Sequence, residues 1–212
     1  VYVGLRRGNA NTSDFSDAAI AQTVKAAFDI ARFTAEDPMA GLPDATDIAP
    51  PSSLADELEL FFPWQVTSEQ AAELAKECEQ AALETDARIT NSEGAAVSAQ
   101  QSHFFSAHTH GFRGGYSSSR HSISVSPIAS IGEDMQRDAW YSSMRDSKEL
   151  ASAQRVGRYA AERALSRLGA RKISTRQCPV LFESTLASGL LGAFVQAVSG
   201  GALYRKSSFL LD

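Results

Sequence analysis

Apolar and polar positions alternate with several different periods along the chain. Val1-Tyr2-Val3-Gly4-Leu5 is a β-rich run, Arg6-Arg7-Gly8-Asn9 reads as a turn, and Ala10 to Ser13 returns as its partner. Ile20, Val24, Ala27 and Ala31 then recur at helical spacing behind Ser16, a good N-cap, and Asp17, which suits a helix start. They predict a helix with these four as its buried stripe, fading near Arg32. Thr67 and Gln70 have the spacing of a capping box, and Ala71, Leu74, Ala75, Cys78, Ala81 and Ala82 form the apolar face of a second helix behind it.

From Arg88 to Arg145 the period shortens. Val97–Ala107, Tyr116–Ile128 and Met135–Met144 are the predicted strands of an antiparallel meander, with Asn91-Ser92-Glu93-Gly94 as a turn ahead of them. His121 to Ser126 alternates strictly, as a strand with one buried face does. Gly111, Gly114 and Gly115 mark a turn between strands. A third helix is predicted over about Lys148–Leu168, with Val156, Tyr159, Ala160, Ala164, Leu165 and Leu168 on one side and Gly169 at its C-terminal end. Arg155, Arg158, Glu162, Arg163 and Arg167 fall mostly on the solvated side. Cys178–Phe182 reads as a short buried strand, Ser184–Ala197 as an apolar helix, and Leu203 with Phe209, Leu210 and Leu211 as a run that pairs with further strands.

The segment between the first two helices differs. Thr34 to Pro63 holds Pro38, Pro43, Pro50, Pro51 and Pro63, is rich in Asp and Glu, and has no Lys or Arg. Proline interrupts helices, so this is an extended strap. Its Leu54, Leu58, Leu60, Phe61 and Phe62 are apolar enough to dock on a core. Four parts follow: 1–33, the end of an N-terminal α/β region; 34–64, the Pro-rich strap; 65–169, a helix–meander–helix region; and 170–212, the start of a β-rich C-terminal domain. The fold class is α+β.

Composition narrows the function. The 212 residues are 43% hydrophobic and 21% charged, which fits a globular protein. A net charge of −5 argues against a nucleic-acid partner. No apolar run is long enough for a membrane span. Cys78 and Cys178 stand apart from any metal-like pair and read as reduced, buried thiols of a cytoplasmic protein.

Four histidines are the obvious candidates for chemistry. His108 and His110 would share a face on a strand, but a metal needs a third ligand, and Gln100 to Ser130 has no Asp or Glu. The polar tip of a hairpin is the simpler reading. Ser119 and His121 would also share a face, yet no G-x-S-x-G elbow surrounds the Ser117-Ser118-Ser119 run. Gly111-Phe112-Arg113-Gly114-Gly115 lacks phosphate-loop spacing, and Ser199-Gly200-Gly201 follows a helix instead of opening one. Arg205 and Lys206 are adjacent cations after a glycine turn, suited to a substrate or partner contact.

Longer motifs carry a family resemblance. They are Ala160-Ala161-Glu162-Arg163-Ala164-Leu165-Ser166-Arg167-Leu168-Gly169, Cys178-Pro179-Val180-Leu181-Phe182, Gly189-Leu190-Leu191-Gly192-Ala193-Phe194 and Ser199 to Asp212. Upstream, Asn91-Ser92-Glu93-Gly94, Gly115 to His121 and Asp37-Pro38-Met39-Ala40-Gly41 match as well. Together they resemble the TldD/PmbA family, specifically its PmbA (TldE) branch, whose members run to roughly twice this length, so an internal fragment is expected. The resemblance implies one subunit of a cytoplasmic zinc metalloprotease that processes unfolded, leader or antitoxin peptides and is paired with a TldD-like, zinc-bearing homologue. The catalytic branch carries H-E-x-x-x-H on the helix matching Ser184–Ala197, where this chain has Gly192, Ala193 and Ala197. The expectation is therefore an accessory subunit without catalytic or metal residues of its own, with zinc in its partner and an extended peptide as substrate. The alternative is a non-proteolytic, protein-binding regulator of the gyrase-modulator type.

Overall fold

In a computed structural model, the structure describes residues 1–48 and 58–211, arranged as two compact units, 1–169 and 170–212. The first unit opens with β1 (Tyr2–Val3) and β2 (Arg6–Arg7), a hairpin shorter than predicted. The turn falls at Gly4-Leu5, not at Arg6–Asn9, because Gly4 adopts φ +59°, which a tight hairpin turn favours. Helix α1 (Asp17–Phe33) starts behind Ser16, whose side chain accepts from the Ala19 N–H. Only Ala27 and Ala31 of its predicted stripe are buried; Ile20 and Val24 are exposed, since the helix packs on β1 and β2. Gly8 makes that contact possible: a Cβ there would lie 2.0 Å from the Ala27 carbonyl oxygen.

Helix α2 (Ser68–Leu83) has the predicted capping box, with Thr67 and Gln70 satisfying each other's backbone N–H. Strand β3 (Ile89–Ala107) begins earlier than expected. The stretch Asn91–Gly94 is not a turn but a bulged part of β3, with register shifts at Ile89/Asn91 and Ser92/Ala95. Strand β4 (Arg113–Ile131) pairs with β3 from Arg113 to Ala129. Gly111, at φ +92°, serves the turn, whereas Gly114 and Gly115 lie within β4. The third predicted strand is two: β5 (Asp134–Arg137) pairs with Ile128–Ile131, and β6 (Trp140–Met144) pairs with His121–Val125. Asp138 breaks them apart by accepting from the Ala139 N–H. Pro127, which cannot donate, sits where the β4 partner changes from β6 to β5.

Helix α3 (Ala153–Ser166) starts five residues later than predicted, because Ser147–Glu149 forms a separate 3-10 turn and Ser152 caps α3. Its Ala153, Val156, Ala160, Ala161 and Ala164 join Cys78, Ala82, Ile89, Ile123, Val125 and Ala129 in the core. The helices cross closely at Gly157, where a Cβ would lie 2.2 Å from the Cys78 carbonyl oxygen. Tyr159, predicted to line the inner side, is instead partly exposed and rests on Trp140.

The second unit holds α4 (Ser184–Ala197) and α5 (Gly200–Tyr204). Residues 178–182 form no strand and are exposed, so Cys178 is not buried as expected. The glycine turn and Leu203 also differ from expectation: Ser199 caps α5, and Leu203 lies in it. Among the described residues, no helix is long and apolar enough to cross a membrane.

Candidate functional site

The strap and β4 meet at two buried polar residues. Ser119 and His121 lie two apart on β4, so the pleat sends both toward the covered face. His121 is fully buried, and its Nε2 donates to the Phe62 carbonyl at 2.8 Å. The carbonyl can only accept, so Nε2 carries the proton. Ser119 Oγ donates to the Arg145 carbonyl at 2.9 Å and accepts from the Phe62 N–H at 2.8 Å, while the Ser119 N–H donates to the Leu60 carbonyl. The Trp64 ring meets the imidazole edge-on at 5.4 Å. Strap residues Leu60, Phe61 and Phe62 are half-buried, as a docked strap requires; Leu58 is exposed, and Leu54 lies outside the described residues.

This geometry removes Ser119 and His121 from nucleophilic chemistry. A serine nucleophile gives its proton to the base. Here the Ser119 hydroxyl proton goes to the Arg145 carbonyl, and His121 Nδ1, the nitrogen left to act as a base, has no hydrogen-bond partner among the described residues.

The other histidines sit along the β3–β4 arm. His103 Nδ1 pairs with Ser117 Oγ at 2.7 Å, under the Phe61 ring. His108 and His110 lie past the end of β3, in the turn instead of on a strand. Their rings stand edge to face at 6.0 Å, with His108 stacked on Phe112 and His110 donating to the Pro43 carbonyl at 3.0 Å. Among the described residues, no three His, Cys, Asp or Glu side chains gather around a common point.

Helix α4 places Gly192 and Ala193 on an exposed surface and buries Ala197. Its polar side chains are Ser184, Thr185, Ser188 and Gln196. None is an imidazole, thiolate or carboxylate, so these residues do not fit a zinc ion. A Cβ added to Gly189 or Gly192 would meet nothing within 4 Å. Arg205 forms the C-cap of α5 and lays its guanidinium near Gly201, and Lys206 takes φ +53°. Both are exposed.

A cluster that periodicity alone did not reveal joins β6 to α3. Trp140 packs edge to face on Tyr159 at 4.7 Å, and the Arg163 guanidinium lies 5.0 Å from the Trp140 ring centre. Asp138 binds Arg163 at 3.5 Å and Arg167 at 3.3 Å. Burial raises the Asp138 pKa, but the Ala139 N–H and the two arginines outweigh it and hold the carboxyl below its ordinary value. The i, i+4 spacing of Tyr159 and Arg163 was the available signal; the partner strand was not.

The PmbA/TldA metallopeptidase central domain matches residues 62–168. The metalloprotease PmbA of Escherichia coli O157:H7 is 45% identical over all 212 residues, which cover 46% of that protein. A PmbA homologue of Haemophilus influenzae is 42% identical with the same coverage. The chain thus spans a little under half the length of these curated relatives. A crystal structure from Bacteroides thetaiotaomicron, described as a candidate modulator of DNA gyrase, superposes with a TM-score of 0.86 at 26% identity, covering 100% of this chain and 48% of that one. TldE from Thermococcus kodakarensis shares the fold, with a TM-score of 0.65 at 16% identity over 97% of this chain and 46% of its own. The match to the central domain and the alignment of the whole of this chain with PmbA proteins place it in the PmbA/TldD metallopeptidase family.

Proposed function

We propose that this chain is part of the non-catalytic, TldE-like subunit of a cytoplasmic zinc peptidase, pairing with a TldD-like homologue that carries the metal. The observation that carries this reading is helix α4. At the positions where the family resemblance would put the H-E-x-x-x-H motif it has Gly192, Ala193 and Ala197, which can neither ligate a metal nor move a proton. The subunit's work is to help form the cleft that holds an extended peptide, through backbone hydrogen bonds that demand little of the peptide's sequence. The bare surface at Gly189 and Gly192 lets a backbone approach closely. Arg205 and Lys206 contact substrate or partner.

The test is peptide cleavage by the zinc-bearing homologue, alone and mixed with the full-length protein containing this chain. Cleavage that rises on mixing supports the reading; equal cleavage by the homologue alone overturns it. The name of the Bacteroides relative favours a second reading, a protein-binding regulator without proteolysis. A pull-down that recovers another target but no zinc-bearing homologue would favour that one.

A further inference from the structure

The Trp140–Tyr159 pair is one wall of a groove of about 750 Å³, a volume in the range of small-ligand sites. The wall is rigid, because Arg163 spans the Trp140 face and is itself tied to Asp138. Ser152, Arg155, Arg158 and Glu162 complete the lining. Arg155 and Arg158 are three apart on α3 and therefore share a face.

Arg6, Arg88, Arg137, Arg163 and Arg167 each meet a carboxylate. The guanidiniums of Arg155 and Arg158 meet none among the described residues, although Glu162 stands one turn from Arg158. Two guanidiniums beside an aromatic wall suit one carboxylate joined to a flat apolar group: the oxygens take bidentate N–H donors and the ring stacks on Tyr159 or Trp140. Glu162 sets the upper limit on ligand charge. Its carboxylate in the lining repels a second negative group, which disfavours a phosphodiester chain or a polyacidic segment.

We propose that this groove binds the free C-terminal carboxylate of a peptide whose last residue is aromatic. The site stands on α3, its N-cap and β6, and is independent of the proteolytic reading. It places a peptide end, not the interior of an extended substrate.

Calorimetric titration with Ala-Ala-Ala-Phe, as the free acid and as the C-terminal amide, tests it. The free acid should bind at least about tenfold more tightly than the amide. Arg155→Gln and Arg158→Gln should each weaken the free acid by about tenfold and leave the amide unchanged, while Arg120→Gln, on β4, should change neither. Circular dichroism of each variant reports whether the fold is intact, and Tyr159→Leu, which keeps the charges, should weaken both ligands. Hydrocinnamate separates a peptide end from a simple aromatic acid: if it binds as tightly as the peptide, the peptide assignment fails. Equal binding of acid and amide, normal binding by the arginine variants, or no heat at millimolar peptide also overturns the proposal.

Discussion

His121 Nε2 and the Phe62 carbonyl, 59 residues apart in the chain, form a 2.8 Å hydrogen bond, with the imidazole fully buried. With Ser119 it fastens the strap to the middle strand of the sheet. His121→Ala removes a buried ring and leaves the Phe62 carbonyl without its donor, which should cost about 2–4 kcal/mol. Ser119→Ala leaves the Phe62 N–H and the Arg145 carbonyl unpaired, at about 1–3 kcal/mol. Urea denaturation measures both, and limited proteolysis should cut the strap near Leu60 sooner in either variant. Unchanged midpoints would mean that the strap contributes nothing to stability.

The two glycine environments predict opposite signs. Gly157→Ala drives a methyl toward the Cys78 carbonyl oxygen, 2.2 Å away, and must push α2 and α3 apart. We expect a loss of about 1–3 kcal/mol. Gly192→Ala, inside α4 with nothing within 4 Å, should gain about 0.5–1 kcal/mol of helix stability. Thermal melts of the pair check the order, and a neutral Gly157→Ala would contradict the close helix contact.

The two cysteines should react very differently. Burial, with lesser contributions from Glu77 and Glu79, pushes the Cys78 thiol up to about 11, and its side chain is inaccessible. Cys178 is exposed. A thiol-labelling reagent at pH 8 should modify one site per folded chain and two after denaturation, counted by mass spectrometry. Fast double labelling of the native chain would show that the core around Cys78 is open.

Asp138 should make stability depend on acid pH. Its carboxyl is held below the ordinary value of 3.8, so its stabilising effect is complete above that value and is lost as the pH falls through the lower, folded value. Asp138→Asn should therefore melt at a lower temperature than the parent at pH 7, with the gap narrowing below pH 3.8. A gap that stays constant across that range would show that the ionised carboxylate adds no stability over the neutral one, and would overturn the lowered value.

Much of the local architecture was legible without coordinates. The capping box at Thr67, the N-cap at Ser16, the strict alternation through Val125 and the extent of α4 each depend on residues within a turn or two of one another. Local backbone bonding and burial on one face set those features, and both leave a period in the chain.

Long-range contact decided the rest. The bulge at Asn91–Gly94, the split of one strand into β5 and β6, and the exposure of Ile20, Val24 and Cys178 follow from which partner each segment finds. The roles of Ser119 and His121 belong here too. Their spacing told only that they share a strand face; the arrival of Phe62 from 57 to 59 residues away made them a buried anchor for the strap. A side chain's neighbours in sequence set its orientation, but its hydrogen-bond partners and solvent exposure are fixed only once distant segments pack.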